Sequence, residues 1–293
     1  MRMKSADLRW PVRVDSQAVA DRVLAEVWAA GALGVEERAE PDSVELIIYL
    51  NLPSESAVRE ALAPFAGYGL VVGEQEAVSD LDWSQAWKEG LVAIEISPRL
   101  VVRPSFVEHA LGPGQREVVV DPGQAFGTGG HESTRLILEW LDVLVEEGSE
   151  PRRVLDVGTG SGILALAALK LGAGSALGFD LDLDAIREAR GVVHSNGMTE
   201  RFELFAGSIR CLSSASFDLV LVNLLRTEML PIASEIAETL GRGANLVLSG
   251  LLEEDRSSVL EVFAEFGLEE RSERCSLDAS GGVWISPLLG FPD

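Results

Sequence analysis

Cysteine, histidine and positive charge are all scarce in this chain. Two cysteines, Cys211 and Cys275, stand among 293 residues, too few and too far apart for a disulfide framework or a zinc site. Three histidines, His109, His131 and His194, are scattered, and no group of His, Cys and carboxylates has metal-ligand spacing; no metal is expected. Lys and Arg number 24 against 47 Asp and Glu, for a formal net charge of −23. The deficit is even, −7 over residues 1–80, −7 over 81–150 and −9 over 151–293, so no acidic tail carries it. A field of this sign repels phosphate backbones and attracts basic partners, which disfavours direct nucleic-acid binding, although solubility alone explains the charge equally well. Long apolar runs are also missing. The most apolar stretch, Gly162 to Leu169, stops at Lys170, well short of the ~20 residues of a membrane span, and the start MRMKSADLRW has no apolar signal core. A cytoplasmic protein with no membrane partner is the expectation.

What is present is a globular composition, 47% hydrophobic and 24% charged, in a length with room for two domains. Over residues 1–80 the pattern reads βαββαβ. The strands fall at 9–14, 35–39, 44–51 and 70–78, with one helix whose apolar stripe is Val19, Val23, Leu24, Val27 and Trp28 and a second from Ser54 through Phe65. That order suggests a small α+β domain of ferredoxin-like type. Residues 81–120 read as a connector, with Trp83 and Trp87 four apart on one helical face and short strands at 91–97, 99–103 and 116–120. From residue 153 strand and helix alternate, which argues for a doubly wound, mostly parallel sheet. The last two strands, near 268–277 and 282–287, are too close for a crossover helix and should form an antiparallel hairpin.

The chemistry concentrates at the ends of those strands. In VLDVGTGSGILAL, Gly158, Gly160 and Gly162 follow a strand and open a helix, so a ligand can approach the backbone. A dinucleotide turn is the rival reading, but its sixth position here is Ile163, and Asp156 stands two residues before the first glycine. A carboxylate there suits a ligand with a positive end, such as S-adenosylmethionine (SAM), better than a pyrophosphate. Asp180 ends the next strand, where a carboxylate can accept from both ribose hydroxyls; Asp184 is expected to cap the helix that follows. Ser208, after the third strand, lies where an adenine edge would pass or is a plain turn residue. Asn223 ends the fourth strand at the carboxyl edge, where ligands of open α/β sheets collect.

These segments resemble the ribosomal protein L11 methyltransferases, the PrmA family of class I SAM-dependent methyltransferases. The likeness is most specific in DPGQAFGTGGHESTR at 121–135, VLDVGTGSGILALAALKLGA at 154–173, GFDLD at 178–182 and FDLVLVNLL at 217–225, with DWSQAWKEG at 82–90 resembling the family's connector. The resemblance implies a seven-stranded, Rossmann-like catalytic domain over 121–293 and a substrate-recognition domain over 1–80. It also implies that Thr134, Gly158, Asp180 and Asn223 contact SAM, and that Phe126, Gly127 and Thr128 cover it. The implied substrate is a basic ribosomal protein, methylated on lysine side chains and its N-terminal amine. NLLRTEML after Asn223 departs from the small residues common there in the family.

Methyl transfer to an amine needs alignment and a neutral nitrogen. A lysine of pKa about 10.4 is mostly charged near neutrality, a deficit of roughly 4 kcal/mol, and a carboxylate beside it would enlarge that deficit. Asn223 offers a neutral acceptor, so its expected role is positioning. His131 could relay a proton or simply bond to backbone; His109 and His194 read as surface residues.

Overall fold

The computed structural model describes residues 8–40, 43–67, 69–77, 91–121, 130–212, 216–278 and 281–292. The chain divides into two compact units, Met1–Leu91 and Val92–Asp293.

The first unit runs β1 (Leu8–Val14), α1 (Gln17–Ala29), β2 (Gly34–Glu40), β3 (Ser43–Leu50), α2 (Glu55–Leu62), β4 (Val71–Val72) and β5 (Glu76–Ala77). Its sheet has the order β2-β3-β1-β4, with β5 also on β1 and every pairing antiparallel. Alternation makes one face of the sheet apolar. Trp10, Val12 and Val14 of β1 and Leu46, Ile48 and Leu50 of β3 pack with Val23 and Val27 of α1 and Val58 and Leu62 of α2 in one core. The strand expected over 70–78 is two short pieces. Val72 pairs with Val12 but Glu76 with Arg9, so the register slips by one residue between them. The slip falls opposite Pro11, which has no N–H to give the ladder; Gly73 donates to the Pro11 carbonyl at 2.8 Å. Trp83 and Trp87 lie outside the described residues.

The second unit begins with a three-stranded sheet of β6 (Ile94–Ser97), β7 (Leu100–Arg103) and β8 (Arg116–Val119), in the order β6-β7-β8. Then follow α3 (Glu132–Glu146), β9 (Arg153–Val157), α4 (Ile163–Lys170), β10 (Ser175–Asp180), α5 (Leu183–Ser195), β11 (Phe202–Ala206) and β12 (Phe217–Asn223). The chain continues through α6 (Arg226–Met229), α7 (Ala233–Glu238), β13 (Leu240–Ser249), β14 (Leu251–Leu252), α8 (Arg256–Glu265), β15 (Glu269–Leu277) and β16 (Val283–Gly290). The small sheet is part of this unit. Leu100, Val102 and Val118 share a core with α3 and α4, and Arg99 pairs with Asp142 of α3 at 2.7 Å.

The large sheet has the order β11-β10-β9-β12-β13-β16-β14, with β15 on β16. Strands β9 to β13 are parallel, and the C-terminal pair β15 and β16 is antiparallel. This is an α/β architecture built on a mostly parallel, doubly wound sheet. Eight strands stand where seven were expected; the addition is the two-residue β14, which Gly250, at φ +82°, turns back against β16. Both faces are buried. Val154, Leu219, Leu221 and Val247 pack against α3 and α4, while Leu155, Val220, Val222 and Leu246 pack against α7 and α8, which explains strands that read as continuous apolar runs. Between β12 and β13 the helical stretch is broken into α6 and α7 by a short 3-10 turn containing Pro231. Among the described residues no helix is long and apolar enough to cross a membrane, and no group of three or more His, Cys, Asp and Glu could hold a metal.

Candidate functional site

Four parallel strands deliver the site. The turn after β9 is shaped by Gly158 at φ +67° and Gly160 at φ +53°, both left-handed and so suited to glycine. Gly162, at φ +83°, starts α4. Two hydrogen bonds hold the turn, from Thr159 N–H to the Phe179 carbonyl at 2.9 Å and from Gly162 N–H to the Thr159 carbonyl at 2.8 Å. Asp180, ending β10, accepts from Gly160 N–H at 3.0 Å with Oδ2 and from Asp182 N–H at 3.0 Å with Oδ1. Each oxygen keeps a further lone pair. Asp182, not Asp184, caps α5, accepting from Asp184 N–H at 2.8 Å.

Asn223, ending β12, is half-buried and donates through Nδ2 to Thr134 Oγ1 at 3.2 Å. Thr134 is fully buried on α3. With the amide nitrogen held by Thr134, the carbonyl oxygen is the end left for a ligand. His131 caps α3: its Nδ1 accepts from Ser133 N–H at 3.2 Å and meets Ser133 Oγ at 2.8 Å. The ring also meets Trp284 edge-on, centroids 4.6 Å apart. Backbone bonding therefore describes one side of His131, and a neutral ring in that tautomer carries its proton on Nε2.

These groups line one cleft of about 480 Å³, within the range of small-molecule sites. Five of the expected residues meet there: Thr134, Gly158, Gly160, Asp180 and Asn223. Two do not. Asp156 is completely buried beneath the turn, its Oδ2 accepting from Thr159 Oγ1 at 2.8 Å and Ala165 N–H at 3.3 Å, while Oδ1 has no partner. Burial raises its carboxyl pKa from 3.8 to about 7. It supports the loop and does not face a ligand's positive end. Ser208 caps the short 3-10 turn Ile209–Cys211 and is not part of the cleft wall. Phe126, Gly127 and Thr128 lie outside the described residues.

Sequence reasoning missed Trp284, Glu228 and Gly250, which also line the cleft. Trp284 Nε1 donates to Asp278 Oδ2 at 2.9 Å across the C-terminal hairpin. Of the remaining histidines, His194 is exposed near the end of α5, as expected, but His109 is half-buried, with its Nε2 out of solvent.

Among the described residues the lining contains three carboxylates, Asp180, Asp182 and Glu228, and neither Lys nor Arg. That inventory fits an adenosyl group carrying a sulfonium and an ammonium, with hydroxyls for Asp180 to accept from, better than it fits a pyrophosphate.

The family model described as "Ribosomal protein L11 methyltransferase (PrmA)" matches residues 22–276. The ribosomal protein L11 methyltransferase of Syntrophotalea carbinolica is 39% identical over 271 residues, covering 85% of this chain and 88% of that protein. The one from Sorangium cellulosum is 36% identical over 311 aligned residues, covering 97% and 96%. Among solved structures, the ribosomal protein L11 methylase of Lactobacillus delbrueckii subsp. bulgaricus superposes with a TM-score of 0.61 at 26% identity, covering 69% of this chain and 99% of that one. The chain belongs to the PrmA family of SAM-dependent ribosomal protein methyltransferases.

Proposed function

We propose that this protein methylates amine nitrogens of ribosomal protein L11, on lysine side chains and the N-terminal amine. In this reading the second unit is a class I catalytic domain whose seven principal strands carry the site, with β14 an addition. The first unit contains a ferredoxin-like substrate-recognition domain over about residues 1–80, and the connector assigned to 81–120 runs on into the second unit, where its strands β6 to β8 share a core with α3 and α4. A basic ribosomal protein suits the net charge of −23, and the cytoplasm, where such a substrate is made, is the expected compartment.

One observation carries the reading: Asn223 is fixed by Thr134 in the same cleft as the glycine turn and Asp180. SAM, when bound, supplies an electrophilic methyl on a positively charged sulfur; Gly158, Gly160, Asp180 and Thr134 are the residues to hold it. The chain's own task is alignment, worth up to about 7–11 kcal/mol for well-oriented reactants. Asn223 Oδ1 accepts a hydrogen bond from the neutral amine and aims its lone pair. A neutral acceptor orients the nitrogen without stabilising its protonated form, as a carboxylate would. The FGTG segment with Phe126, Gly127 and Thr128 is assigned to covering the donor.

The test is transfer of labelled methyl from SAM to purified L11 and to whole lysate. Labelling of L11 at lysines and the N-terminus supports the proposal. Labelling of another component with L11 untouched would overturn it.

A further inference from the structure

Strand order gives the cleft two ends. Asp180 ends β10 and Asn223 ends β12, with β9 between them, so their rows stand about 10 Å apart at the usual strand spacing. Asp182 and Ala185 lie beyond Asp180. Leu224, Leu225, Glu228 and Gly250 follow Asn223 and β13, on the far side. If Asp180 takes the ribose, an acceptor amine enters at the end marked by Asn223, Leu225 and Glu228.

The three lining carboxylates are not equivalent. Asp180 accepts two backbone N–H groups and Asp182 caps α5. Glu228 is exposed, and among the described residues its side chain has neither a hydrogen bond nor an ion pair. The cation in its own turn does not neutralise it, because Arg226 is paired with Asp255 at 2.8 Å. Its place is nevertheless fixed. Glu228 N–H and Met229 N–H both donate to the Leu225 carbonyl at 2.9 Å, and Met229 is fully buried. Beside it Leu225 keeps 57% of its surface exposed on the cleft wall. An apolar side chain next to an uncompensated carboxylate is the complement of a lysine, whose alkyl stem seeks apolar cover while its ammonium seeks negative charge.

We propose that Glu228 is a specificity-determining residue that binds the acceptor amine in its charged form at the mouth of the cleft, with Leu225 covering the alkyl stem. This rests on the reading above that the second unit methylates amines. The two polar groups then divide the work. Glu228 selects an ammonium and rejects neutral or anionic acceptors, while Asn223, five residues earlier at the strand end, receives the nitrogen after its proton has passed to solvent water at the exposed mouth. The separation matters because a carboxylate at the reacting atom would hold the proton on.

The test uses the full chain, a lysine-containing peptide of basic sequence, and the variants Glu228→Gln, Glu228→Asp and Glu228→Lys. Peptide Kd is read by fluorescence anisotropy with S-adenosylhomocysteine present, peptide KM and kcat by initial rates, and SAM Kd by calorimetry. For Glu228→Gln the peptide Kd and KM should rise about 5–10-fold, as for loss of a partly screened charge contact. They should rise further for Glu228→Lys and stay closer to wild type for Glu228→Asp, with SAM Kd within about twofold throughout. The rise should shrink as salt is added. Wild-type peptide Kd and KM in Glu228→Lys would overturn the proposal while leaving amine methylation intact. Loss of SAM affinity in both Glu228→Gln and Glu228→Asp would place the residue at the donor end and overturn it too. A wild-type enzyme that methylated no amine would overturn the reading beneath it.

Discussion

Asp156 should make the protein less stable as pH rises through neutrality, and Asp156→Asn should remove that dependence. The carboxyl is fully buried, has one unpartnered oxygen and lies near the charge of Asp180. Burial, opposed in part by the Thr159 and Ala165 hydrogen bonds, raises its pKa from 3.8 to about 7. Between those values the folded chain keeps a proton that the unfolded chain releases. Stabilisation from this group is therefore complete below pH ~4 and lost as pH climbs through about 7. The full span is worth about 4 kcal/mol, of which roughly 2–3 kcal/mol falls between pH 5 and 8. Glu117 slopes the opposite way, because its hydrogen bond to Arg103 holds it below the usual carboxylate range. The informative quantity is thus the difference between wild type and Asp156→Asn, measured by urea unfolding at half-unit pH steps. That difference should move against the wild type by about 2–3 kcal/mol from pH 5 to 8. A flat difference would refute the assignment of a buried, proton-holding carboxyl beneath the glycine turn.

Removing Asp180 as Asp180→Ala should weaken SAM binding about 10–100-fold in calorimetry, the worth of hydrogen bonds to a charged group. Asn223→Ala should lower kcat more than it raises the SAM Kd, since its role is to aim the amine; equal effects on both would contradict the division of labour. Thr134→Val should lower kcat by about 3–10-fold through release of the Asn223 amide, read in steady-state assays. Gly158→Ala meets both a left-handed φ and a Cβ only 2.7 Å from Leu224 Cδ2, so it should cost about 1–3 kcal/mol in unfolding experiments.

Legibility in the sequence followed how locally each feature is encoded. The glycine turn, Asp180 and Asn223 are readable because each sits at the end of an apolar strand, and strand ends on one edge of a parallel sheet must converge. Asp156 was misplaced for a related reason. In VLDVG both faces of the strand are buried, as Val154 and Leu155 show by packing on opposite sides, so alternation gives no hint that residue 156 points into protein. Ser208 follows a strand like the others, but its hydroxyl is taken by a cap. Thr134 came from family resemblance alone: its contact with Asn223 spans 89 residues, and nothing local announces it. Trp284 and His131 meet across an even longer interval. Glu228 was hidden because nothing local in the sequence marks the short α6 turn, cut off from α7 by the 3-10 turn with Pro231, as the element that holds a carboxylate at the cleft.

The most direct measurement is a crystal structure with S-adenosylhomocysteine bound. The expected result is both ribose hydroxyls within hydrogen-bonding distance of Asp180, the thioether sulfur on the Asn223 side of the glycine turn, and Glu228 beyond it. A ligand seated elsewhere, or in the reverse orientation with its adenine against Asn223, would contradict the assignment of donor and acceptor to the two ends of this cleft.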